Sequence, residues 1–192
     1  MREVDIAVVG AGPAGLAATL ACGESGAATL LVDYMDAPGG QLIKQTHKFF
    51  GSERQFAGTR GIQIPAIFME RLSKMPNVAL MWGANASGYY ADSGVLTLED
   101  GSKFVKVKAK RVIIATGAAE KPLAFENNDL PGVYGAGAVQ TLMNVHGVKP
   151  GDRVLMVGSG NIGLIVSYQL IQAGVEVVAL VEAAGCIGGY LV

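Results

Sequence analysis

The sequence predicts an α/β protein in which two βαβ units in tandem are separated by an antiparallel β-meander. Two observations support this fold class. The segment that begins at Val4, VDIAVVGAGPAGL, matches the segment that begins at Asp152, DRVLMVGSGNIGL, at an offset of 148 residues. Such an offset exceeds the period of solenoid repeats and indicates two related domains. Between the two copies, short β-like segments alternate with turn dipeptides, as in a meander.

Each copy has the pattern of a strand, a helix and a second strand. Residues 6–9 and 154–157 are continuous apolar runs, which is typical of parallel strands covered on both faces. Apolar residues then recur near helical spacing, and Gly26 and Gly174 are placed to end the two helices. The second strands are predicted at residues 28–32 and 176–181.

The region between the copies predicts a meander followed by a connection. Its β-like segments are residues 78–82, 87–90, 95–98 and 104–109, and its turns include Ser93-Gly94 and Asp100-Gly101. Residues 111–115 predict a further buried strand, and a short helix is expected near residues 138–145. The predicted organisation is a first domain over residues 1–119, a connector over 120–150 and the start of a second domain over 151–192.

Composition and charge argue against several classes of protein. Fifteen basic and 16 acidic residues give a formal net charge of −1, so no nucleic-acid partner is expected. Cys22 and Cys186 lie far apart and outside any C-x-x-C pair, so neither a disulfide framework nor a metal site is predicted. The N-terminus lacks the zones of a secretory signal, and the apolar stretches 6–23 and 154–175 contain several glycines. We therefore expect a cytoplasmic protein without a membrane span.

The first glycine motif, Gly10-Ala-Gly12-Pro-Ala-Gly15, lies at the junction of a strand and a helix, and we call residues 10–15 the first elbow. There the first glycine permits a tight turn, the second lets a diphosphate approach the backbone, and the third lets the helix pack on the strand. N–H groups at the helix start bind the diphosphate. Asp33 follows in the sequence at the spacing expected of an acid that accepts hydrogen bonds from a ribose hydroxyl. The alternative is a tight turn alone.

The second glycine motif repeats this arrangement, and we call residues 158–163 the second elbow. It consists of Gly158, Ser159, Gly160, Asn161, Ile162 and Gly163. The carboxylate of Glu182, after the second strand, would suit a free ribose 2′-hydroxyl and repel a 2′-phosphate. This favours NAD over NADP. The alternative is that a duplicated unit has kept its packing glycines and lost its ligand.

Two dinucleotide sites in one chain point to a flavin and a nicotinamide that exchange a hydride. VDIAVVGAGPAGLAA from Val4, GGQL from Gly39 and RVIIATGA from Arg111 resemble the FAD domain of the pyridine nucleotide-disulfide oxidoreductases of the thioredoxin-reductase-like group. PGVYGAGAVQTL from Pro131 and GVKPGDRVLMVGSGNIGL from Gly147 are more similar to the FAD/NAD-binding subunits of sarcosine oxidase, hydrogen cyanide synthase and amino-acid or opine dehydrogenases.

The resemblance implies a Rossmann-like FAD-binding domain with its meander, followed by the first βαβ unit of a Rossmann-like NAD-binding domain. It also implies particular cofactor contacts. Those at the first elbow and its acid are Gly10, Gly12, Pro13, Ala14, Gly15 and Asp33. Those along the ribityl chain, the flavin and the adenine are Gly40, Gln41, Thr46 and Ala86. Those where the chain leaves the domain are Ala115, Thr116 and Gly117. NAD would contact Gly158, Gly160, Asn161, Ile162, Gly163 and Glu182.

The sequence departs from the family pattern in three ways. Thioredoxin reductases carry a redox C-x-x-C that is missing here, so disulfide reductase activity is not expected. Phe49-Phe50 stands where that group has an asparagine, which affects the expected flavin contacts. In the family the second domain continues for several more strands, whereas this sequence stops at Val192. We expect a fragment of a longer polypeptide, the alternative being completion by another chain.

The sequence thus predicts an FAD-dependent oxidoreductase that passes a hydride between NAD(H) and FAD and acts with a small-molecule substrate or a partner subunit in an oligomer. The favoured specialisation is a dinucleotide-binding subunit of an amine or amino-acid dehydrogenase. No catalytic residue is predicted, since His47 has no partner visible in the sequence and the flavin carries the redox chemistry. The alternative is a non-catalytic nucleotide-binding or electron-transfer subunit in which one dinucleotide is only structural.

Overall fold

The computed structural model describes residues 1–49 and 51–189. The chain forms two compact units, Met1–Ala118 and Ala119–Val192, and each is described by itself. Phe50 and Val192, which the sequence analysis singled out, lie outside the described residues. Among the described residues, no helix is long and apolar enough to cross a bilayer.

The first unit contains one six-stranded sheet with the strand order β3-β2-β1-β6-β5-β4. Its strands are β1 (Arg2–Val9), β2 (Thr29–Val32), β3 (Val78–Met81), β4 (Ala84–Tyr90), β5 (Val95–Asp100) and β6 (Lys103–Ile114). The central strand β1 is parallel to both of its neighbours, β2 and β6, and β3 is parallel to β2. The strands β4, β5 and β6 pair antiparallel in sequence order.

The parallel strands are apolar because both of their faces are covered. The helices α1 (Pro13–Glu24) and α2 (Ile64–Leu72) pack on one face, where Leu16, Leu31 and Phe68 share a buried cluster. The opposite face packs against β5 and the first half of β6, where Leu30 shares a second cluster with Leu98. The sequence prediction of a parallel layer and a meander is confirmed, and the first elbow follows the strand at its centre.

The structure corrects the prediction for residues 78–82, which were assigned to the meander. Residues Val78–Met81 instead form β3, whose register places Thr29 opposite Val78 in a parallel pair with β2. The reason is the helix α2, which the sequence analysis left unassigned and which carries the chain from β2 back to the same edge of the sheet. The meander therefore consists of β4, β5 and β6. Its turns lie at Gly94 and Gly101, which have φ angles of +66° and +58°.

The second unit is built around the parallel strands β7 (Arg153–Val157) and β8 (Glu176–Val181), which are joined by the helix α4 (Asn161–Gln172). The short helix expected in the connector is α3 (Ala136–Asn144), and it packs against α4. The unit has its own core, which consists of Val139, Met156, Val166, Leu170 and Val175. The side chains of Gln140 and Gln169 meet inside the unit, where the Nε2 of Gln140 donates to the Oε1 of Gln169 at 2.9 Å.

The two predicted helix ends are confirmed. Gly26 follows α1 with a φ of +81°, and Gly174 follows α4 with a φ of +74°. Glycine adopts this left-handed conformation without the penalty that a Cβ would bring, so it ends a helix and turns the chain toward the next strand.

Candidate functional site

The first elbow leaves the carboxyl end of β1 in a conformation that only glycine adopts readily. Gly10 has a φ of +104°, and its N–H donates to the carbonyl of Val32 at 2.8 Å. A Cβ at Gly10 would lie 2.3 Å from the carbonyl oxygen of Ala115, in the segment that follows β6. The elbow is therefore packed closely against the neighbouring strand end.

The other two glycines of the first elbow have different surroundings. A Cβ at Gly15 would lie 1.7 Å from the carbonyl oxygen of Gly10, so this glycine lets α1 pack against the elbow. Gly12 has an ordinary φ of −72°, and a Cβ there would meet nothing closer than the Cα of Gly40 at 3.9 Å. The space beside Gly12 is therefore open. Pro13 opens α1, whose first turn carries no acidic residue that would compete with a bound anion.

Asp33 connects the end of β2 to the first elbow. Its carboxylate Oδ2 accepts the N–H of Ala11 at 2.5 Å, and its Oδ1 accepts the N–H of Met35 at 2.8 Å. The residue is 8% exposed. An ionised carboxylate offers about four lone-pair sites, so each oxygen can accept one further hydrogen bond. Asp33 thus holds the elbow in shape and keeps acceptors for two hydroxyl groups.

The double glycine of the GGQL motif packs against this same elbow. Gly39 has a φ of +132°, and its N–H donates to the carbonyl of Ala11 at 2.9 Å. A Cβ at Gly40 would lie 2.8 Å from the Cα of Gly12. Two backbone turns therefore approach each other more closely than side chains would allow, and both border the open space beside Gly12.

A cleft of about 560 Å³ opens along the carboxyl ends of the parallel strands. It brings together most of the residues predicted to contact FAD, namely Gly10, Gly12, Pro13, Ala14, Asp33, Gly40, Gln41, Ala86, Ala115, Thr116 and Gly117. Two predicted residues are not among those that line it. Gly15 is buried below the elbow, and Thr46 lies on the loop after the GGQL segment.

The cleft also includes residues that sequence reasoning missed. Tyr34, Met35 and Asn85 line it. Tyr34 and Met35 follow β2 after Asp33, and Asn85 is the second residue of β4. The signal that could have found them is their position close to strand ends that meet at one edge of the sheet. Among the described residues that line the cleft, Asp33 has the only charged side chain. A ligand held here would be bound mainly by backbone groups and apolar contacts.

The second elbow repeats the backbone geometry of the first. Gly158 has a φ of +97°, and its N–H donates to the carbonyl of Val181 at 2.8 Å. A Cβ at Gly163 would lie 2.1 Å from the carbonyl oxygen of Gly158, whereas a Cβ at Gly160 would meet nothing within 4 Å. The predicted residues Asn161 and Ile162 are the exposed first residues of α4, directly after Gly160.

Glu182 holds the second elbow as Asp33 holds the first. Its Oε2 accepts the N–H of Ser159 at 2.7 Å and the hydroxyl of Ser159 at 2.6 Å, while its Oε1 accepts the N–H of Ala184 at 3.1 Å. These hydrogen bonds, led by the one from the hydroxyl of Ser159, lower the pKa of Glu182 to about 2. The carboxylate is therefore charged at neutral pH.

His47 lies outside the set of residues that line the cleft. Its ring stacks on that of Phe49 with the centroids 5.5 Å apart, and partial burial lowers the pKa of His47. Among the described residues, no group of three His, Cys, Asp or Glu side chains is arranged to hold a metal ion.

The sequence profile of one protein family matches residues 4–188. That family is described as pyridine nucleotide-disulphide oxidoreductase. The chain belongs to this family. The family consists of flavin-dependent oxidoreductases of pyridine nucleotides, and membership implies FAD binding. The predicted resemblance and the Rossmann-like fold class are thereby confirmed.

The chain is also similar in sequence to individual proteins of known name. The chain is 34% identical to the alpha subunit of the sarcosine oxidase of Rhizobium meliloti (strain 1021), and the match covers 96% of this chain and 19% of that protein. It is 29% identical to an opine oxidase subunit of Agrobacterium tumefaciens (strain Ach5), with 94% and 37% covered. The chain thus spans about a fifth to two fifths of the length of these relatives.

A solved structure supports the same relationship. The L-proline dehydrogenase from P. horikoshii superimposes with a TM-score of 0.77 at 28% sequence identity, covering 94% of this chain and 35% of that one. The fold of this chain therefore resembles that of a known dehydrogenase.

Proposed function

We propose that this chain binds FAD at the first elbow and NAD(H) at the second, and that it supports hydride transfer between nicotinamide C4 and flavin N5. The observation that carries the proposal is that the two elbows have the same pattern of hydrogen bonds. In each, a glycine N–H bonds to the end of the neighbouring strand, and an acid after that strand accepts the N–H inside the elbow.

The cleft of the first unit fits FAD. Its volume of about 560 Å³ lies in the range of cofactor sites, and the space beside Gly12 can take a diphosphate against the N-terminal N–H groups of α1. Asp33 is placed to bind ribose hydroxyls through its remaining acceptors. When bound, FAD supplies the hydride acceptor, and the protein contributes orientation and a largely uncharged surrounding.

The second elbow supports the choice of NAD over NADP. The charged carboxylate of Glu182 accepts a hydroxyl hydrogen bond and repels a phosphate at the same position. Gly160 offers open space beside the N-terminus of α4, as Gly12 does beside α1. Cys22 and Cys186 are free cysteines, and they supply no C-x-x-C pair for disulfide exchange.

The relatives favour an amine or amino-acid substrate. They are named as subunits of sarcosine oxidase and opine oxidase, and the structural neighbour is named as an L-proline dehydrogenase. We therefore propose that the chain acts with a partner subunit that oxidises such a substrate, within a cytoplasmic oligomer. The competing function is that of a nucleotide-binding or electron-transfer subunit in which one dinucleotide is only structural.

A matched pair of variants separates the two sites. Gly12→Ala and Gly160→Ala each add a methyl group where the structure has room for it and where the φ angle is ordinary. Neither change strains the fold, yet each occupies a proposed diphosphate position. The readout is the absorbance spectrum of purified protein loaded with FAD, recorded before and after anaerobic addition of NADH.

The wild type is expected to show flavin bands that bleach with NADH. Gly12→Ala is expected to lose the bands, and Gly160→Ala is expected to keep them but to need at least ~100-fold more NADH for the same rate of bleaching. Flavin bands indifferent to NADH in the wild type would support the non-catalytic subunit. A wild type that fails to take up FAD would overturn the proposal altogether.

A further inference from the structure

Ser159 forms more hydrogen bonds than its counterpart in the first elbow. It is fully buried, at 0% exposure, and both its N–H and its hydroxyl donate to the Oε2 of Glu182. Its hydroxyl oxygen also accepts the N–H of Gly188 at 3.2 Å. The corresponding residue in the first elbow is Ala11, which donates its N–H to Asp33 and has no hydroxyl.

The partners of Ser159 include a second double glycine. The sequence GGYL from Gly188 stands at the same place after the acid as GGQL does after Asp33. The N–H of Gly189, the second glycine, donates to the carbonyl of Ser159 at 2.8 Å, whereas in the first unit the N–H of the first glycine, Gly39, donates to the carbonyl of Ala11. A Cβ at Gly189 would lie 3.0 Å from that carbonyl oxygen, so this turn also approaches its elbow closely. The repeat therefore extends beyond the acid.

We propose that Ser159 is a positioning residue that clamps the Glu182 carboxylate and the Gly188–Gly189 turn to the second elbow, and thereby sets how strictly that site rejects a nucleotide 2′-phosphate. The proposal rests on the proposed NAD site. Because both Ser159 donors occupy Oε2, the carboxylate cannot turn away from the elbow. Its negative charge stays beside the ribose position, with Oε1 as the oxygen that accepts the 2′-hydroxyl.

The first elbow shows what the clamp adds. Asp33 accepts a single hydrogen bond on each oxygen, and its side chain is one methylene shorter than that of glutamate. The longer side chain of Glu182 is exposed and loses more conformational entropy when it is fixed. It therefore needs a second hydrogen bond, a tether, to keep one orientation. The hydroxyl of Ser159 is that tether.

The test compares Ser159→Ala with Ser159→Thr, which keeps the hydroxyl. The first measurement is an NMR titration of side-chain carboxyl groups in the nucleotide-free protein, with the Glu182 signal assigned by its loss in Glu182→Gln. Ser159→Ala is expected to raise the pKa of Glu182 from about 2 toward its ordinary value, and Ser159→Thr is expected to leave it low.

The second measurement is the ratio of the dissociation constants of NADPH and NADH. Loss of a hydrogen bond to a charged group is expected to reduce this preference for NADH about tenfold in Ser159→Ala, mainly through tighter NADPH binding. Ser159→Thr is expected to keep the preference of the wild type. An unchanged ratio in Ser159→Ala, or an unchanged pKa of Glu182, would overturn the clamp.

The two measurements separate this inference from the proposed function. If the wild type binds neither nucleotide, the NAD site is refuted and the proposed role in selection fails with it, whereas the titration still decides whether Ser159 holds Glu182. If NADH binds and the titration shows no effect of the hydroxyl, the proposed function stands and the clamp is refuted.

Discussion

The two elbows share a local geometry but differ in what surrounds them. Gly10 and Gly158 have φ angles of +104° and +97°, and each is followed by an acid that accepts the N–H inside the turn. A Cβ at Gly10 would strike the carbonyl oxygen of Ala115, whereas a Cβ at Gly158 would meet nothing within 4 Å. A glycine motif therefore specifies its own turn, and the neighbouring strands decide how tightly that turn is held.

The strands of the two units also differ in how far their apolar side chains are buried. In the first unit, Val8 and Leu31 are fully buried, since helices cover one face of the sheet and the meander covers the other. In the second unit, Leu155 and Val157 of β7 are 55% and 60% exposed. The apolar runs in the two copies are alike, so this difference comes from the number of elements around them.

The largest expected effect in this comparison comes from the first glycine of each elbow. Gly10→Ala combines a left-handed backbone with a clash against Ala115, so we expect a loss of roughly 4 kcal/mol in the stability of the first unit. Gly158→Ala carries only the backbone strain, so roughly 1–2 kcal/mol is expected in the second. Hydrogen exchange of the α1 and α4 amides measures each unit separately. Equal losses would contradict the difference in packing.

The third glycine of each elbow is expected to behave alike in both units. A Cβ at Gly15 or Gly163 would collide with the carbonyl oxygen of the first glycine in its own elbow. We therefore expect each alanine variant to lose roughly 3 kcal/mol, because the helix must move away from the strand. The same exchange experiment applies. A tolerated Gly163→Ala would mean that α4 is free to shift on β7.

Equivalent leucines in the two helices test the core. Leu16 is fully buried in the first unit, while Leu164 is only partly buried in the second. Leu16→Ala is expected to cost roughly 2–3 kcal/mol and Leu164→Ala about 1 kcal/mol. Trp82, the single tryptophan of the sequence, packs against the Leu16 cluster, so its fluorescence reports denaturation of the first unit. Hydrogen exchange of the α4 amides reports the second, and a similar cost at both positions would show that the two cores are equally well covered.

The smallest expected effect is a pH dependence of the stability of the second unit. The pKa of Glu182 is lowered to about 2 in the folded state, so its contribution to stability is present above its ordinary value near 4.5 and is lost as the pH falls toward 2. Protection of the α4 amides is expected to fall over this window, and Glu182→Gln is expected to remove most of the change.

Asp152 provides the control for this titration. Its pKa is also lowered, by a hydrogen bond and an ion pair with Lys149 in the segment before β7, whereas the Glu182 carboxylate bonds to the elbow that leads into α4. Asp152→Asn is therefore expected to leave most of the pH dependence of α4 in place. If Asp152→Asn abolishes it and Glu182→Gln does not, the elbow carboxylate is not responsible.

The sequence predicted those parts of the fold that are encoded locally. The glycine elbows, the helix ends at Gly26 and Gly174, and the hairpin turns at Gly94 and Gly101 follow from a conformation that glycine tolerates. The parallel pairing of β3 was missed because it depends on α2, a short helix whose start at Ile64-Pro65 has no capping side chain to reveal it.

The candidate site was predictable where it follows a motif and obscure where it depends on distant segments. Gly10, Gly12, Pro13, Ala14 and Ala115 line the cleft, and their positions at strand ends are visible in the sequence. Tyr34 and Asn85 were missed because they meet only after β2 and the meander are aligned, which is a property of the tertiary structure. FAD contacts at the elbow and at Ala115 stay a prediction.

The strand β7 has a single hydrogen-bonded neighbour, β8, among the residues that the structure describes. Among these residues its other edge has no paired strand, and Leu155 and Val157 of β7 expose more than half of their surface. Because an unpaired strand edge is a template for pairing with another chain, we expect this chain to associate there at high protein concentration. Light scattering across a dilution series would therefore be a necessary companion to every binding measurement on this chain.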